Sequence, residues 1–322
     1  MIPFIDPPTP VILANNCSAL KHANFVERSI GELLDKGCIR EVTSPFVVNP
    51  LTVSVNSSGK ERLVLDLRHV NKFVDKQKVK FEGVKEAMSF IYSPGYAFKY
   101  DLKSGYHHLD IHPQHQKFLG FSWKFDSQLR YFEFTVLPFG LSSAGHIFTK
   151  TVRVLVKHWR SLGFPIVMYL DDGFATAEDF HICQKMSLSV QNDLLQAGFI
   201  ANNEKSVWEP KQLIEWLGFE WNVENSSLQI PQKKIEILRD SISNIVEKNI
   251  NLSCRNLAKV CGKIVSMIPA LGNICQIMTK HMHMTICCKC SWDEIIGTMI
   301  FLQNYNSGVF SESHFLSKVL SL

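Results

Sequence analysis

IVMYLDDGFATA, residues 166–177, sets two apolar β-forming runs on either side of Asp171-Asp172-Gly173. A short acidic tip with glycine between such runs predicts a β-hairpin, with strands at IVMYL (166–170) and FATA (174–177). Two adjacent carboxylates repel, and holding them together costs energy unless a cation neutralises them. The same tripeptide is also ordinary turn chemistry, because Asp bonds its own backbone there. The neighbours decide between the two readings. AFKYDL (97–102) predicts a strand that ends in another carboxylate, Asp101. If that strand lies beside the hairpin, Asp101, Asp171 and Asp172 meet. Mg²⁺ takes such oxygen ligands. Two ions roughly 3.5–4 Å apart can activate an attacking hydroxyl and steady a leaving oxygen.

Working outward, PLTVSV (50–55), NSSG (56–59) and KERLVLDL (60–67) predict another hairpin. Its second strand puts Arg62, Val64, Asp66 and Arg68 on one face and three leucines on the other. FLGFSW (118–123) and YFEFTV (131–136) predict a hairpin around Asp126–Gln128. LPFGLSS (137–143) feeds a helix with Phe148, Val152, Leu155, Val156 and Trp159 at helical spacing. A helix follows over about 179–197, stopped by Gly198, and then short strands near 206–208 and 213–221. Residues 1–17 read as an extended, proline-broken arm, and Ser18 as the cap of a helix that ends at Gly37. Beyond Pro231 the pattern is wholly helical. The expected fold class is α+β, divided into an N-terminal arm and helix (1–40), a mixed region (41–230) and a helical region (231–322).

The net charge is +4 over 322 residues, too small to imply a polyanionic partner by itself. Lys and Arg outnumber acids in 60–85 and 230–263, which fits two phosphate-contacting surfaces or two solvated faces. Nine cysteines without framework spacing, and no secretory leader, point to free thiols in an intracellular compartment. No apolar run spans a membrane. HMHMTICCKC (281–290) holds His281, His283, Cys287, Cys288 and Cys290, but its spacing matches no common zinc finger.

Taken together, the motifs resemble those of reverse transcriptases, in order and spacing, from about residue 40 to 285. YLDD (169–172) resembles the family's Tyr-x-Asp-Asp motif. FKYDLKSGYHHLDI (98–111) resembles the strand with the first metal-binding Asp and the aromatic five residues on, Tyr106. LPFGLSSAGHIF (137–148) resembles the motif under template and nucleotide, and RLVLDLRHVNK (62–72) the fingers signature. Lys205 in NNEKS stands where the family has a lysine near the triphosphate, and WLGFEW (216–221) resembles the primer grip. The runs KYDLKSGYHHLDI, HQKFLGFSW, VLPFGLSSAG, FTK…LVKHWRSLG and YLDDG resemble DIRS-type, tyrosine-recombinase retrotransposons.

This resemblance implies a right-hand polymerase with fingers, an antiparallel palm sheet and a helical thumb. It implies template-directed DNA synthesis by two-metal chemistry, with two Mg²⁺ or Mn²⁺ in their place. The implied partners are a primed RNA or DNA template and deoxynucleoside triphosphates. Asp101 and Asp171 would bind both metals, with Asp172 secondary. Lys205 would protonate departing pyrophosphate, or be a surface lysine. Arg62 would sit over the triphosphate. Asp66 and Arg68 would join it there, or pair with each other to orient it. Tyr106 would gate the sugar. Phe139 stands where retroviral enzymes carry Gln, so contacts of a Gln amide do not transfer. Gly140 would admit backbone to the nucleotide or merely turn the chain. Trp216, Leu217, Gly218 and Phe219 would press on the primer, or serve as core. His107 and His108, expected on the same strand as Tyr106, read as structural. Lys233, Lys234, Lys259 and Lys263 would meet duplex phosphates. The chain is expected to stop before any ribonuclease H. A remnant that binds nucleic acid without polymerising is the competing reading. An RNA-dependent RNA polymerase is a third, opposed by Tyr106.

Overall fold

The structure is a computed structural model that describes residues 1–56, 59–92, 94–247, 252–288 and 291–296. The chain forms two compact units. The first comprises Met1–Gly83, Phe98–Thr176 and His181–Pro210, and the second Val84–Ala97, Ala177–Phe180 and the chain from Lys211 onward.

The first unit carries nearly all of a four-stranded sheet that holds Asp101 and Asp172. Its strands, in spatial order, are Val207–Lys211, Tyr96–Asp101, Asp172–Ala177 and Ile166–Tyr169. The last two pair antiparallel as the expected hairpin. Behind the sheet lies the helix Ala144–Ser161, with Phe148, Val152, Val156 and Trp159 buried at the predicted spacing. Trp159 meets Tyr100 of the Asp101 strand edge-on, with ring centroids 6.3 Å apart. The helix Phe180–Gln196 ends at Gly198, whose φ of +80° suits a residue without Cβ.

A five-stranded sheet also belongs to this unit, in the order Val11–Ile12, Val47–Asn49, Gly120–Phe125, Gln128–Phe134 and Ile39–Val42. The arm therefore departs from the expected irregular structure. Val11–Ile12 pairs in parallel with Val47–Val48, and Phe4 bridges Val74. Prolines stop regular structure at their own positions, yet a sheet edge can still recruit the residues between them. Ser18 likewise lies inside the helix Cys17–Lys21 rather than at its cap. Its hydroxyl accepts from the Val53 amide at 3.2 Å, so tertiary contact has claimed the oxygen. The separate hairpin Leu51–Val55/Glu61–Leu65 forms as expected, with Ser57 and Ser58 of its turn outside the described residues.

In the second unit, Leu213–Trp216, Phe219–Asn222 and Ser227–Gln229 form a three-stranded sheet. Helices Gln232–Glu247, Cys254–Val265, Ile268–Leu271 and Ile274–Cys287 follow. They pack around Leu238, Val260, Ile264, Met267 and Cys275. The region is not wholly helical, because Leu252–Ser253 pairs with Ile295–Ile296.

Candidate active site

Sheet order puts the Asp101 strand next to the strand that begins at Asp172. Beyond Asp101 the pairing continues: the Leu102 amide donates to the Asp171 carbonyl at 2.9 Å. Asp101 and the adjacent pair Asp171 and Asp172, 70 positions further on, thus share one end of the sheet.

The hairpin departs from its expected register. Asp172 pairs with Tyr169 and Gly173 with Met168, so the tip is Leu170-Asp171, and the glycine lies in the strand. A Cβ on Gly173 would sit 2.1 Å from the Tyr100 ring. The ring crosses the bare backbone there, and its hydroxyl reaches Met168 Sδ at 3.6 Å. Trp208 stacks on the same ring, with centroids 5.3 Å apart and planes inclined by 7°. Glycine is required here for close packing rather than for the turn. Leu170 takes a positive φ of 54°, which costs an L residue roughly 1–2 kcal/mol.

Asp101 is buried, and Lys205 Nζ lies 3.0 Å from its Oδ2. The Asp101 backbone is pinned as well. Its amide donates to Ser206 Oγ at 3.1 Å, and its carbonyl accepts from the Asn202 amide at 2.7 Å. Burial raises the Asp171 carboxyl above the usual range, helped by Asp101 and opposed by Lys205. Burial, then Asp171 and Asp101, push Asp172 up to about 6, and its carboxyl is hydrogen-bonded to Asp101. One lysine does not offset three carboxylates. Among the described residues no three His, Cys, Asp or Glu side chains form a ready-made metal cage. Asp172 and Asp101 are joined by a hydrogen bond, and Asp171 feels the charge of Asp101 beside them. As an oxygen-only donor set short of positive charge, they fit a hard divalent cation.

Tyr106 lies on a turn of 3₁₀ helix, Gly105–His108, and not on a strand as the sequence suggested. Ser104, with φ +54°, breaks the strand after Asp101 and swings the ring back. Gly105 lets this turn sit against Phe148 and the Asp171 Cβ, which an added Cβ would meet at 2.9 and 3.3 Å. The Tyr106 ring packs on Phe139 and Phe148, with centroids 5.2 and 5.3 Å away. Burial, with Asp171 and Tyr169 beside it, raises its phenol above the usual range. Phe139 is exposed at the opening beside it. His107 packs edge-on against Phe139, and His108 Nε2 accepts from the Ile200 amide at 3.1 Å, both structural uses.

Gly140 has φ +104°, and a Cβ would fall 2.3 Å from the Leu65 carbonyl oxygen. Asn71 holds the same loop from both sides. Its Nδ2 donates to the Gly140 carbonyl at 2.9 Å, and its Oδ1 accepts from the Ser142 amide at 2.8 Å. Sequence reasoning quoted Asn71 within a motif but gave it no role. Its partners lie about 70 positions away, beyond any local pattern. Arg62 is exposed on its strand. Asp66 and Arg68 lie past the end of that strand and form a forked ion pair, with Nη2 to Oδ2 at 2.6 Å. Arg68, backed by Asn16, holds the Asp66 carboxyl down to about 2.

The remaining candidates belong to the second unit. Trp216 and Phe219 are buried and serve as core, leaving half-buried Leu217 (φ +47°) and exposed Gly218 (φ +72°) at the hairpin tip. Lys234 lies over the Phe219 ring, 4.5 Å from its centroid, and burial lowers its ammonium. Lys263 donates to Ser241 Oγ. These two lysines brace the bundle, whereas Lys233 and Lys259 are exposed. His281, His283, Cys287 and Cys288 lie on or at the end of one helix, Cys261 Sγ is 3.2 Å from His283 Nε2, and Cys290 lies outside the described residues.

Residues 54–221 match the family described as "Reverse transcriptase (RNA-dependent DNA polymerase)". The enzymatic polyprotein of Cestrum yellow leaf curling virus is 24% identical over 265 residues, 79% of this chain and 40% of that protein. The retrovirus-related Pol polyprotein from transposon opus of Drosophila melanogaster is 27% identical over 198 residues, 60% of this chain and 19% of that protein. The chain thus spans well under half the length of these relatives. Among solved structures, a foamy viral protease-reverse transcriptase in complex with dsDNA superposes with a TM-score of 0.73 at 20% identity. That match covers 99% of this chain and 50% of the other. The same viral protein in complex with an RNA/DNA hybrid also gives 0.73, at 19% identity, covering 100% and 40%. The fold is therefore the mixed α and β right-hand polymerase fold.

Proposed function

Because the chain belongs to the reverse transcriptase family, we propose that it is the polymerase part of a retroelement polyprotein and extends a DNA primer on an RNA or DNA template by two-metal nucleotidyl transfer. The observation that carries this is the seating of the Asp101 strand against the hairpin, with Leu102 bonded to Asp171. Within the polymerase we assign 41–230 to fingers and palm and 231–322 to the thumb.

Asp101 and Asp171 hold the ions, with Asp172 as the secondary carboxylate. Bound Mg²⁺, or Mn²⁺ in its place, supplies the charge that activates the primer 3′-hydroxyl and steadies departing pyrophosphate. Lys205 neutralises Asp101 before the ions arrive and then protonates the leaving group. Arg62 reaches for the triphosphate, because a guanidinium suits bidentate phosphate contact. The Asp66–Arg68 pair shapes the turn after its strand. Gly140 brings backbone to the nucleotide. Tyr106, propped by Phe139 and Phe148, walls off a 2′-hydroxyl, since a rigid ring clashes where a soft pocket would yield. Leu217 and Gly218 at their hairpin tip meet the primer end. The likeness of the runs KYDLKSGYHHLDI, HQKFLGFSW, VLPFGLSSAG and YLDDG to DIRS-type retrotransposons supports assigning the element to that group. A tyrosine-recombinase frame in the same element would support that placement, and an integrase would overturn it. We read the work as intracellular, a reading that the free thiols and the proposed nucleic-acid substrate support.

Extension of a DNA primer on an RNA template with Mg²⁺ tests the reading. Asp171→Asn should abolish extension and leave primer–template affinity within a few-fold. Tyr106→Val in the same assay should raise ribonucleotide use relative to deoxynucleotide use. Binding without extension by the unaltered chain would favour the inactive remnant instead.

A further inference from the structure

The helix Ala144–Ser161 has two unlike faces. Phe148, Val152, Val156 and Trp159 are buried. His146, Lys150, Arg153 and Lys157 lie within about 60° of one another on the opposite face. Lys150, Arg153 and Lys157 are exposed, and the helix contains no acid. A second basic segment adjoins it, because Arg153 Nη2 donates to the Lys80 carbonyl at 3.3 Å. That segment carries exposed Lys76, Lys78 and Lys80. The nearby acids are engaged elsewhere. Glu82 is forked onto Arg160, with Oε1 accepting from Nη1 at 2.9 Å, and Asp75 accepts from Gln77. A basic surface thus runs along the outside of the unit, carried by the exposed Lys150, Arg153 and Lys157 of a helix that has no acid of its own.

We propose that this stripe binds the single-stranded part of the template that lies outside the primed duplex. The proposal rests on the polymerase reading above and names a contact which that reading does not use. Three features favour this partner. The stripe starts close to the site: at Gly145, an added Cβ would lie 3.7 Å from Tyr106 Oη and 3.9 Å from Leu170. From Lys150 to Lys157 the charges span about 10 Å along the axis, a length that several phosphates of one strand can follow. The stripe also faces away from the sheet that carries the acids. A strand reaching it from the site must turn around a helix about 10 Å across. A duplex resists such a turn, with a persistence length near 150 bp, whereas a single strand makes it freely. The stripe has cations and no exposed aromatic ring for stacking, so its grip is on phosphates and independent of sequence.

The test uses the full chain and two primer–templates of equal duplex length, one blunt and one with about 15 unpaired template nucleotides. Affinity is measured against salt for the unaltered chain and for Lys150→Ala/Arg153→Ala/Lys157→Ala. On the overhang substrate the triple variant should lose about 2 from the log–log salt slope, at roughly 0.7 per phosphate contact on a single strand. Binding of the blunt substrate, and the extension rate on a one-nucleotide overhang, should not change. A triple Lys/Arg exchange (Lys150→Arg, Arg153→Lys, Lys157→Arg) should restore the slope, which a folding defect would not allow. Equal losses on both substrates would overturn the proposal by placing the stripe on duplex. Unchanged slopes would also overturn it, by making the stripe a solvated face, or a protein contact if self-association changes instead. Failure of extension on every substrate would count against the polymerase reading, not against the stripe.

Discussion

Two hairpins of the same unit have two-residue tips and opposite characters. Gly120–Phe125 and Gln128–Phe134 turn at Asp126-Ser127, exposed, with φ of 43° and 75°. Short polar residues tolerate that conformation, and the local sequence alone accounts for it. The carboxylate hairpin turns at Leu170-Asp171, half-buried, with a leucine at φ +54° and two acids held above their usual ionisation range. Nothing local favours a leucine in the left-handed region at this tip. It persists because Leu102 bonds Asp171 and the Tyr100 ring lies flat on Gly173. Strain of this kind collects where surrounding structure over-determines a functional site.

The largest expected contrast is at Gly173. Gly173→Ala drives a methyl into the Tyr100 ring, and overpacking of that kind costs about 1–3 kcal/mol. Because displacing acids by about 1 Å can cost 10²-fold, extension should fall by about that factor, with a lower melting temperature. Ser127→Gly at the other tip should change both by little. Extension at the full rate by Gly173→Ala would show that Tyr100 does not set the hairpin.

A smaller effect comes from pH. Asp172, pushed from 3.8 up to about 6, keeps a proton in the native state that the unfolded chain releases. Its contribution to stability is therefore present at low pH and lost as pH rises through about 6. Asp66, held down to about 2, has the opposite sign and loses its contribution as pH falls from 3.8 toward 2. The metal-free chain, melted at pH 5 and pH 7.5, should thus lose less stability on the way up when it carries Asp172→Asn. Mg²⁺ should raise the pH 7.5 value of the unaltered chain. The same slope in both proteins would mean that Asp172 titrates normally.

The smallest effect is at the strained tip itself. Leu170→Gly relieves roughly 1–2 kcal/mol of backbone cost but frees the unfolded chain by about 0.5–1 kcal/mol. The melting temperature should hold or rise slightly while extension slows several-fold. A variant that is both stable and fully active would remove strain from the account of this hairpin.

Much of this was legible from sequence because it is local. The Asp101 strand, both hairpins and the long amphipathic helix follow from period and turn residues. The seating of Asp101 beside Asp171 was conditional on a strand order that no local pattern dictates. What escaped was set by distant contact. Gly173 read as a turn glycine because its partner, Tyr100, lies 73 positions upstream. The proline-rich arm read as irregular because its partner strand, Val47–Asn49, is not encoded nearby. The contacts of Lys234 with the Phe219 ring and of Lys263 with Ser241 escaped because charge is visible in sequence, and the groups it meets are not.

The two-handed grip of Asn71 on the Gly140–Ser142 loop gives the proposed nucleotide pocket a reporter that needs no nucleotide. The Ser142 amide proton is held by a side-chain oxygen alone, so it trades with solvent deuterium whenever the loop lets go. Its exchange rate therefore measures, in free energy, how often the support beneath Phe139 and Tyr106 comes undone.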